Sequence, residues 1–211
     1  MTLIQEKYGL HPTIKSYMQS GKETSVFSKE VTKSLLEISP SYNTYPTKGL
    51  KNYIAGPQPS LRFLENEDMS LLVESVRIAM SCEGSIFPEF SRDIVYPNLQ
   101  FACSHPELLE EWQDLFQKVG IKSFILKSKM TWSGVKGLGI KELKSIKRFI
   151  EIGGFIEGVE ITGKSKYYKG IYKNDLLKTL FNMRMKSFRF QKDYSNKTKN
   201  EIIGGIIKDE N

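Results

Sequence analysis

The sequence predicts an α+β fold, with helices covering one face of a four-stranded antiparallel sheet. Three observations predict it. Leu108, Leu109, Trp112, Leu115, Phe116 and Val119 recur with the period of a helix buried along one side. Short runs rich in Ile, Phe and Leu flank that helix in two pairs, 85–90 with 98–103 and 123–127 with 131–140. Helical segments precede and follow the pairs, so the order from Ser70 to Ile152 reads α-β-β-α-β-β-α. A sheet covered on one side keeps its other face open, polar and available to a ligand.

Each element has a local cause. Residues 1–66 are expected to form a small helical segment. Ser28 can cap a helix carrying Val31, Leu35 and Leu36, and Ser39-Pro40 breaks it. A second short helix fits Thr47 to Ala55 and ends at Gly56-Pro57. The pair fits either a helix-turn-helix presenting Lys48, Lys51 and Asn52 to DNA, or a packing element without that contact. Ser70 can cap the next helix, whose residues from Leu71 to Met80 are apolar on more than one side, as contact with two neighbours requires. His105-Pro106 opens the middle helix and Gly120 closes it. Gly134, Gly137 and Gly139 loosen the fourth strand. Leu143, Ile146, Phe149 and Ile150 mark a third helix, and Leu176, Leu177, Leu180 and Phe181 a last one. The expected divisions are 1–66, a core at 67–185, and a basic tail at 186–211. The tail reads as a disordered arm or a backbone-contacting extension.

The chain has 211 residues, of which 39% are hydrophobic and 26% charged, as in soluble globular proteins. No apolar run approaches the ~18 residues of a membrane span. The first residues lack a signal-peptide core, and two cysteines suit a reduced compartment. A cytoplasmic location is expected. Charge is unevenly placed. Residues 1–117 hold 10 Lys/Arg against 15 Asp/Glu, whereas residues 118–208 hold 21 against 7. Such asymmetry points to a polyanion partner, or more blandly to a solvated lysine-rich surface. His11 and His105 lack Cys or His partners at zinc-ligand spacing. No P-loop, dinucleotide fingerprint or serine elbow occurs.

The run Met80-Ser81-Cys82-Glu83-Gly84-Ser85-Ile86 joins a helix to a strand and places one carboxylate beside a glycine. A carboxylate at an element end can hold a divalent metal against a phosphate; the plain alternative is a solvated side chain. An acid at a helix C-terminus is electrostatically disfavoured, which counts against accident. Together with the element order, this helix end resembles the LAGLIDADG homing endonuclease family over roughly residues 70–183. On the nine-residue signature the chain reads Val76-Arg77-Ile78-Ala79-Met80-Ser81-Cys82-Glu83-Gly84. Glu83 matches the family's metal-binding acid and Gly84 its closing glycine. Ile78 replaces the family's helix-contact glycine, and Ser81 replaces its first acid. The segment Pro106 to Ile121 is similar to the family's middle helix leading into its third strand.

The resemblance implies a saddle-shaped sheet over the DNA major groove. It also implies a homodimer paired through the signature helix, with Val76, Ala79 and Met80 at the contact. Ile152 to Glu160 looks superficially like a second signature, but too few residues follow it for a second sheet. The implied activity is site-specific double-stranded DNA cleavage, with Glu83 of each protomer holding Mg²⁺ and the metal activating water. Lys127 and Lys129 are candidates to stabilise phosphate charge, or to contact phosphate plainly. Arg92, Gln100, Trp132 and Lys136 are candidates for the open face; Gln and Arg can read adenine and guanine edges. A catalytically inactive DNA-binding regulator on the same scaffold is the alternative, suggested by Ser81. An RNA-binding factor using Tyr167, Tyr168, Phe188 and Phe190 as stacking groups is a third.

Overall fold

The computed structural model describes residues 13–17, 21–25, 28–40, 58–131, 133–162 and 165–209. The chain divides into two units, Met1–Phe63 and Leu64–Asn211.

In the first unit, β1 (Thr13–Tyr17) pairs antiparallel with β2 (Gly21–Ser25), a hairpin that the sequence pattern did not announce. Helix α1 (Lys29–Ile38) follows the expected cap: the Ser28 hydroxyl accepts from the Val31 amide at 3.3 Å. Ser39 ends the helix, and its hydroxyl accepts from the Ser60 amide at 3.1 Å. The second expected helix, with Lys48, Lys51 and Asn52, lies outside the described residues.

The second unit is α+β. Helix α2 (Met69–Glu83) leads directly into β3 (Gly84–Ser91), which turns into β4 (Ile94–Ala102). Helix α3 (Pro106–Lys118), β5 (Phe124–Lys127), β6 (Val135–Ile140) and α4 (Leu143–Glu151) complete the α-β-β-α-β-β-α order. Two helices follow, α5 (Lys173–Met185) and α6 (Asn196–Asp209). The sheet is antiparallel in the order β3-β4-β6-β5.

Local chemistry explains the boundaries. Asp68, rather than Ser70, caps α2: its carboxylate accepts from the Leu71 amide at 2.9 Å and from the Ser70 hydroxyl at 2.6 Å. The two hydrogen bonds hold Asp68 below its ordinary value, the Ser70 hydroxyl contributing most. Gly84 has extended backbone, and a Cβ there would stand 2.3 Å from the Met80 carbonyl oxygen. Only glycine lets a helix become a strand without an intervening turn here. His105 caps α3, its Nδ1 accepting from the Leu108 amide at 3.2 Å. At 1% exposure the imidazole is desolvated, which lowers its proton affinity.

The core lies on one face of the sheet. Val95, Leu99 and Phe101 of β4 alternate inward with Ile86 of β3 and Leu138 and Ile140 of β6. Phe101 meets Trp112 and Phe116 of α3 with ring centroids 5.2 and 5.8 Å apart. Leu72, Val76 and Met80 of α2 and Leu176, Leu177 and Leu180 of α5 complete this interior. Helix α5 runs along β3 and β4 and touches α4 and α6.

Two corrections follow. The connection between β3 and β4 is only Arg92-Asp93, with Arg92 at φ 54°, because both strands extend through their prolines. Residues 186–209 are not an appended tail. Phe190 donates its amide to the Asp93 carbonyl at 2.9 Å, and its ring meets Phe90 at 5.8 Å. Lys199, 5% exposed, donates to the Arg92 carbonyl and lies 5.5 Å over the Phe90 ring. Ile203 and Ile207 of α6 are buried. Among the described residues no helix is long and apolar enough to cross a membrane.

Candidate functional site

The junction of α2 with β3 is the most distinctive polar centre of the second unit. Glu83 is exposed at the last position of α2. Its neighbour Ser81 turns inward: the hydroxyl donates to the Arg77 carbonyl at 2.7 Å and accepts from the Ile156 amide at 2.7 Å. Both hydrogen-bonding directions of Ser81 are used inside the fold, so it offers nothing to a ligand. A carboxylate at that position would meet the Arg77 carbonyl without a proton to share.

Lys173, at the start of α5, is the residue that sequence inspection missed. Its ammonium donates to the Ser81 carbonyl at 2.9 Å and to the Gly84 carbonyl at 2.7 Å, and lies 5.2 Å from the Phe155 ring centre. A lysine here binds carbonyls that a helix C-terminus leaves without partners, and it answers the negative end of the helix dipole. Burial pushes the Lys173 ammonium below its ordinary value, while Cys82 and Glu83 act in the opposite direction. Glu83 and Lys173, 90 positions apart in the sequence, are therefore brought into one electrostatic neighbourhood. Cys103 joins it: burial raises its thiol, and the Glu83 charge raises it further.

Beside this junction lies the sheet face turned away from the core. Register and alternation place Ser85, Phe87 and Glu89 of β3 on it, with Tyr96, Asn98 and Gln100 of β4 and Phe124 of β5. Glu89 accepts from the Asn98 amide at 2.7 Å and pairs with Lys141 at 2.6 Å. These contacts hold the Glu89 carboxyl below its ordinary value, Lys141 contributing most. Arg184 stacks 4.8 Å over the Tyr96 ring.

The candidates fall in different places. Gln100 stands on this open face. Arg92 does not: it occupies the hairpin tip, exposed, because the turn takes only two residues. Lys136 is exposed near the start of β6. Trp132 lies outside the described residues. Lys127 ends β5 and Lys129 follows it, both exposed. Since β3 and β5 are opposite edges of the sheet, Lys127 stands three interstrand steps from the start of β3, about 14 Å. The basic neighbour of Glu83 within one chain is Lys173, not Lys127 or Lys129.

The expected dimer contact also changes. Val76 and Met80 have no exposed surface, and their side chains belong to the chain's own core. Ala79 is half-buried. Helix α2 instead presents Leu71, Ser75, Ile78 and Cys82 outward, with Leu71 43% and Ile78 54% exposed. Their spacing of i, i+4, i+7 and i+11 draws one stripe along the helix. Two of the four expected stacking aromatics are internal: Tyr168 and Phe190 are buried, and the Tyr168 hydroxyl donates to Asn200 at 2.6 Å, whereas Tyr167 is half-buried and Phe188 exposed.

Among the described residues no group of three His, Cys, Asp or Glu side chains is assembled to hold a metal. At the α2–β3 junction one chain supplies a single carboxylate, because Lys173 already occupies the Ser81 and Gly84 carbonyls. That donor set fits Mg²⁺ only as a shared ligand, with phosphate and water completing the shell. No family model, curated protein or solved structure matches the chain.

Proposed function

We propose that this protein binds duplex DNA as a homodimer and cleaves it site-specifically in the manner of a LAGLIDADG homing endonuclease. One observation carries the proposal: a single carboxylate, Glu83, stands where α2 hands over to the edge strand of an antiparallel sheet with one uncovered face. The lysine-rich C-terminal half supports a polyanion partner. The exposed stripe of α2 supports self-association, since two copies packed on Leu71 and Ile78 would bring two Glu83 side chains together. Ile78 in that stripe, where the family has glycine, holds such helices further apart than small residues would.

The chain's own residues divide the work. Neutral groups of the open face meet base edges, and lysines at its margins meet phosphates. Glu83 would hold Mg²⁺, whose chemistry there would be polarisation of a phosphoryl oxygen and a lowered pKa of bound water. Lys173 keeps the junction rigid by tying α5 to the backbone on both sides of Glu83.

The alternative is a DNA-binding regulator without cleavage. Ser81, satisfied inside the fold, and the Lys173 ammonium beside Glu83 favour it, because a cation approaching Glu83 meets a positive neighbour. Incubating the full chain with a randomised duplex library and Mg²⁺, then sequencing cleaved and bound fractions, decides between them. The nuclease proposal expects paired nicks that disappear in Glu83→Gln while binding persists. Selective binding with no cut under Mg²⁺ or Mn²⁺ selects the regulator. No duplex retention at low salt removes both.

A further inference from the structure

One row of residues crosses the whole open face at a single register level. Ser85 of β3 stands opposite Gln100 of β4, Gln100 opposite Gly139 of β6, and Gly139 opposite Phe124 of β5. The row therefore reads hydroxyl, amide, bare backbone, phenyl ring. Phe124 is 42% exposed, and its ring lies flat across Gly139: a Cβ on Gly139 would come 2.5 Å from Phe124 Cζ. The glycine leaves room for the far end of the ring, which covers the middle of the row beside Gln100.

The adjoining row behaves differently. Asn98 spends its amide protons on Glu89, and Glu89 is paired with Lys141. The Asn98 amide nitrogen and the Glu89 carboxylate are thereby engaged, and the Asn98 Oδ1 is buried without a partner. Among the described residues, no side-chain partner holds the Gln100 amide or the Ser85 hydroxyl. The solvent-accessible free donors and acceptors of the two rows thus belong to Ser85 and Gln100, because Asn98 is only 3% exposed.

Charge surrounds this row without entering it. Lys127, Lys129 and Lys136 lie exposed at the Glu83 end of the sheet, and Arg92 at the hairpin tip. Neutral hydrogen-bonding groups between basic margins are complementary to a duplex, whose charge sits on its backbones and whose base edges are neutral.

We propose that Gln100 and Phe124 are specificity-determining residues that make this sheet prefer A·T pairs, Gln100 through an adenine edge and Phe124 through a thymine methyl. The proposal rests on the duplex-binding reading above and adds a base preference to it. A primary amide offers one donor and one acceptor, matching adenine N6 and N7 in the major groove. A phenyl ring has no hydrogen bond to give, and the thymine C5-methyl is the apolar group exposed in that groove. The Phe124 backbone is two strands from Gln100, but its ring reaches over Gly139, one strand away, about 5 Å, which spans roughly one to two base-pair steps along the duplex. Ser85 accepts and donates equally, so it adds contact without choosing a base.

The test uses the full chain and a randomised duplex pool of about 30 base pairs, long enough to exceed one turn of the helix. Sequences retained by the wild type are expected to share an adenine and, about one to two steps away, a thymine. In the best retained duplex, replacing that thymine by uracil removes only the methyl and is expected to weaken binding about fourfold. Phe124→Ala, too short to reach the methyl, is expected to bind thymine and uracil duplexes alike. Replacing the adenine is expected to cost the wild type about tenfold. Gln100→Glu, which can only accept, is expected to change the preferred base there from adenine to cytosine. Tight binding without A·T preference, or one consensus shared by wild type, Gln100→Glu and Phe124→Ala, overturns the proposal and leaves duplex binding standing. Failure to retain any duplex at low salt overturns both.

Discussion

At Gly84 and Glu83 adjacent residues serve unlike ends, one steric and one electrostatic. The missing Cβ of Gly84 lets β3 start where α2 stops, and that handover leaves Glu83 at the sheet's edge. Gly84→Ala must push its new carbon off the Met80 carbonyl, and is expected to lose about 1–3 kcal/mol in urea denaturation. An unchanged midpoint would show that the junction relaxes freely. His105 offers a pH signature. Its folded imidazole binds a proton less readily than the unfolded chain does, because burial disfavours the charged form. Below the ordinary value of 6.5 the unfolded state therefore gains protons first. Stability is complete above that value and falls as pH drops through the lowered folded value. His105→Ser keeps a capping oxygen but removes this slope. Denaturation midpoints near neutrality and near pH ~5 check it; an identical slope in the variant assigns the effect to other groups.

Helix α2 is the element that joins core and surface. Its inward residues, Leu72, Val76 and Met80, are packed against the chain itself, and its outward stripe is Leu71, Ser75, Ile78 and Cys82. The two faces make opposite predictions. Val76→Ala leaves a cavity and is expected to cost about 2 kcal/mol of stability with no effect on association. Ile78→Glu places a charge on the exposed stripe and is expected to leave thermal melting nearly unchanged while converting a dimer to a monomer in sedimentation. A wild type that sediments as a monomer at working concentration removes the pairing proposal. The helical period of α2 was legible in the sequence, yet its apolar residues point in several directions. Period alone does not say which side faces the sheet, and the contact at Val76 and Met80 that the family resemblance implies is taken by the chain's own core. Strand β4 shows the same limit. Pro97 reads as a breaker, but β6 pairs only with Leu99 to Ala102, so the Pro97 side of the strand needs no donor.

At the scale of the molecule, the C-terminal residues complete the second unit. Phe190, Lys199, Ile203 and Ile207 are buried, and they close over the β3–β4 hairpin tip and α5. Helix α6 was hidden because Gly204-Gly205 interrupts its pattern. Gly204 has a structural cause, since a Cβ there would stand 3.1 Å from the Tyr167 carbonyl oxygen. A chain ending at Lys186 loses three buried apolar side chains, each worth about 1.5–3 kcal/mol. That sum is comparable with the whole stability of a domain, so the shortened chain is expected to lose its cooperative thermal transition. Circular dichroism melting checks this. A transition at the wild-type temperature would return residues 187–211 to the status of an appendage.

Alternation, helical period and capping residues are short-range properties, which is why the strand pairs, α1, α3 and α4, and the uneven charge could be read directly from the residues. Meetings between distant segments are not written in any local pattern. Lys173 reaches the Gly84 carbonyl from 89 positions away. The row Ser85, Gln100, Gly139, Phe124 exists only because four strands share one register. Long-range packing alone set those neighbours, because burial rewards any arrangement that removes apolar surface from water and hydrogen-bond satisfaction then selects among them.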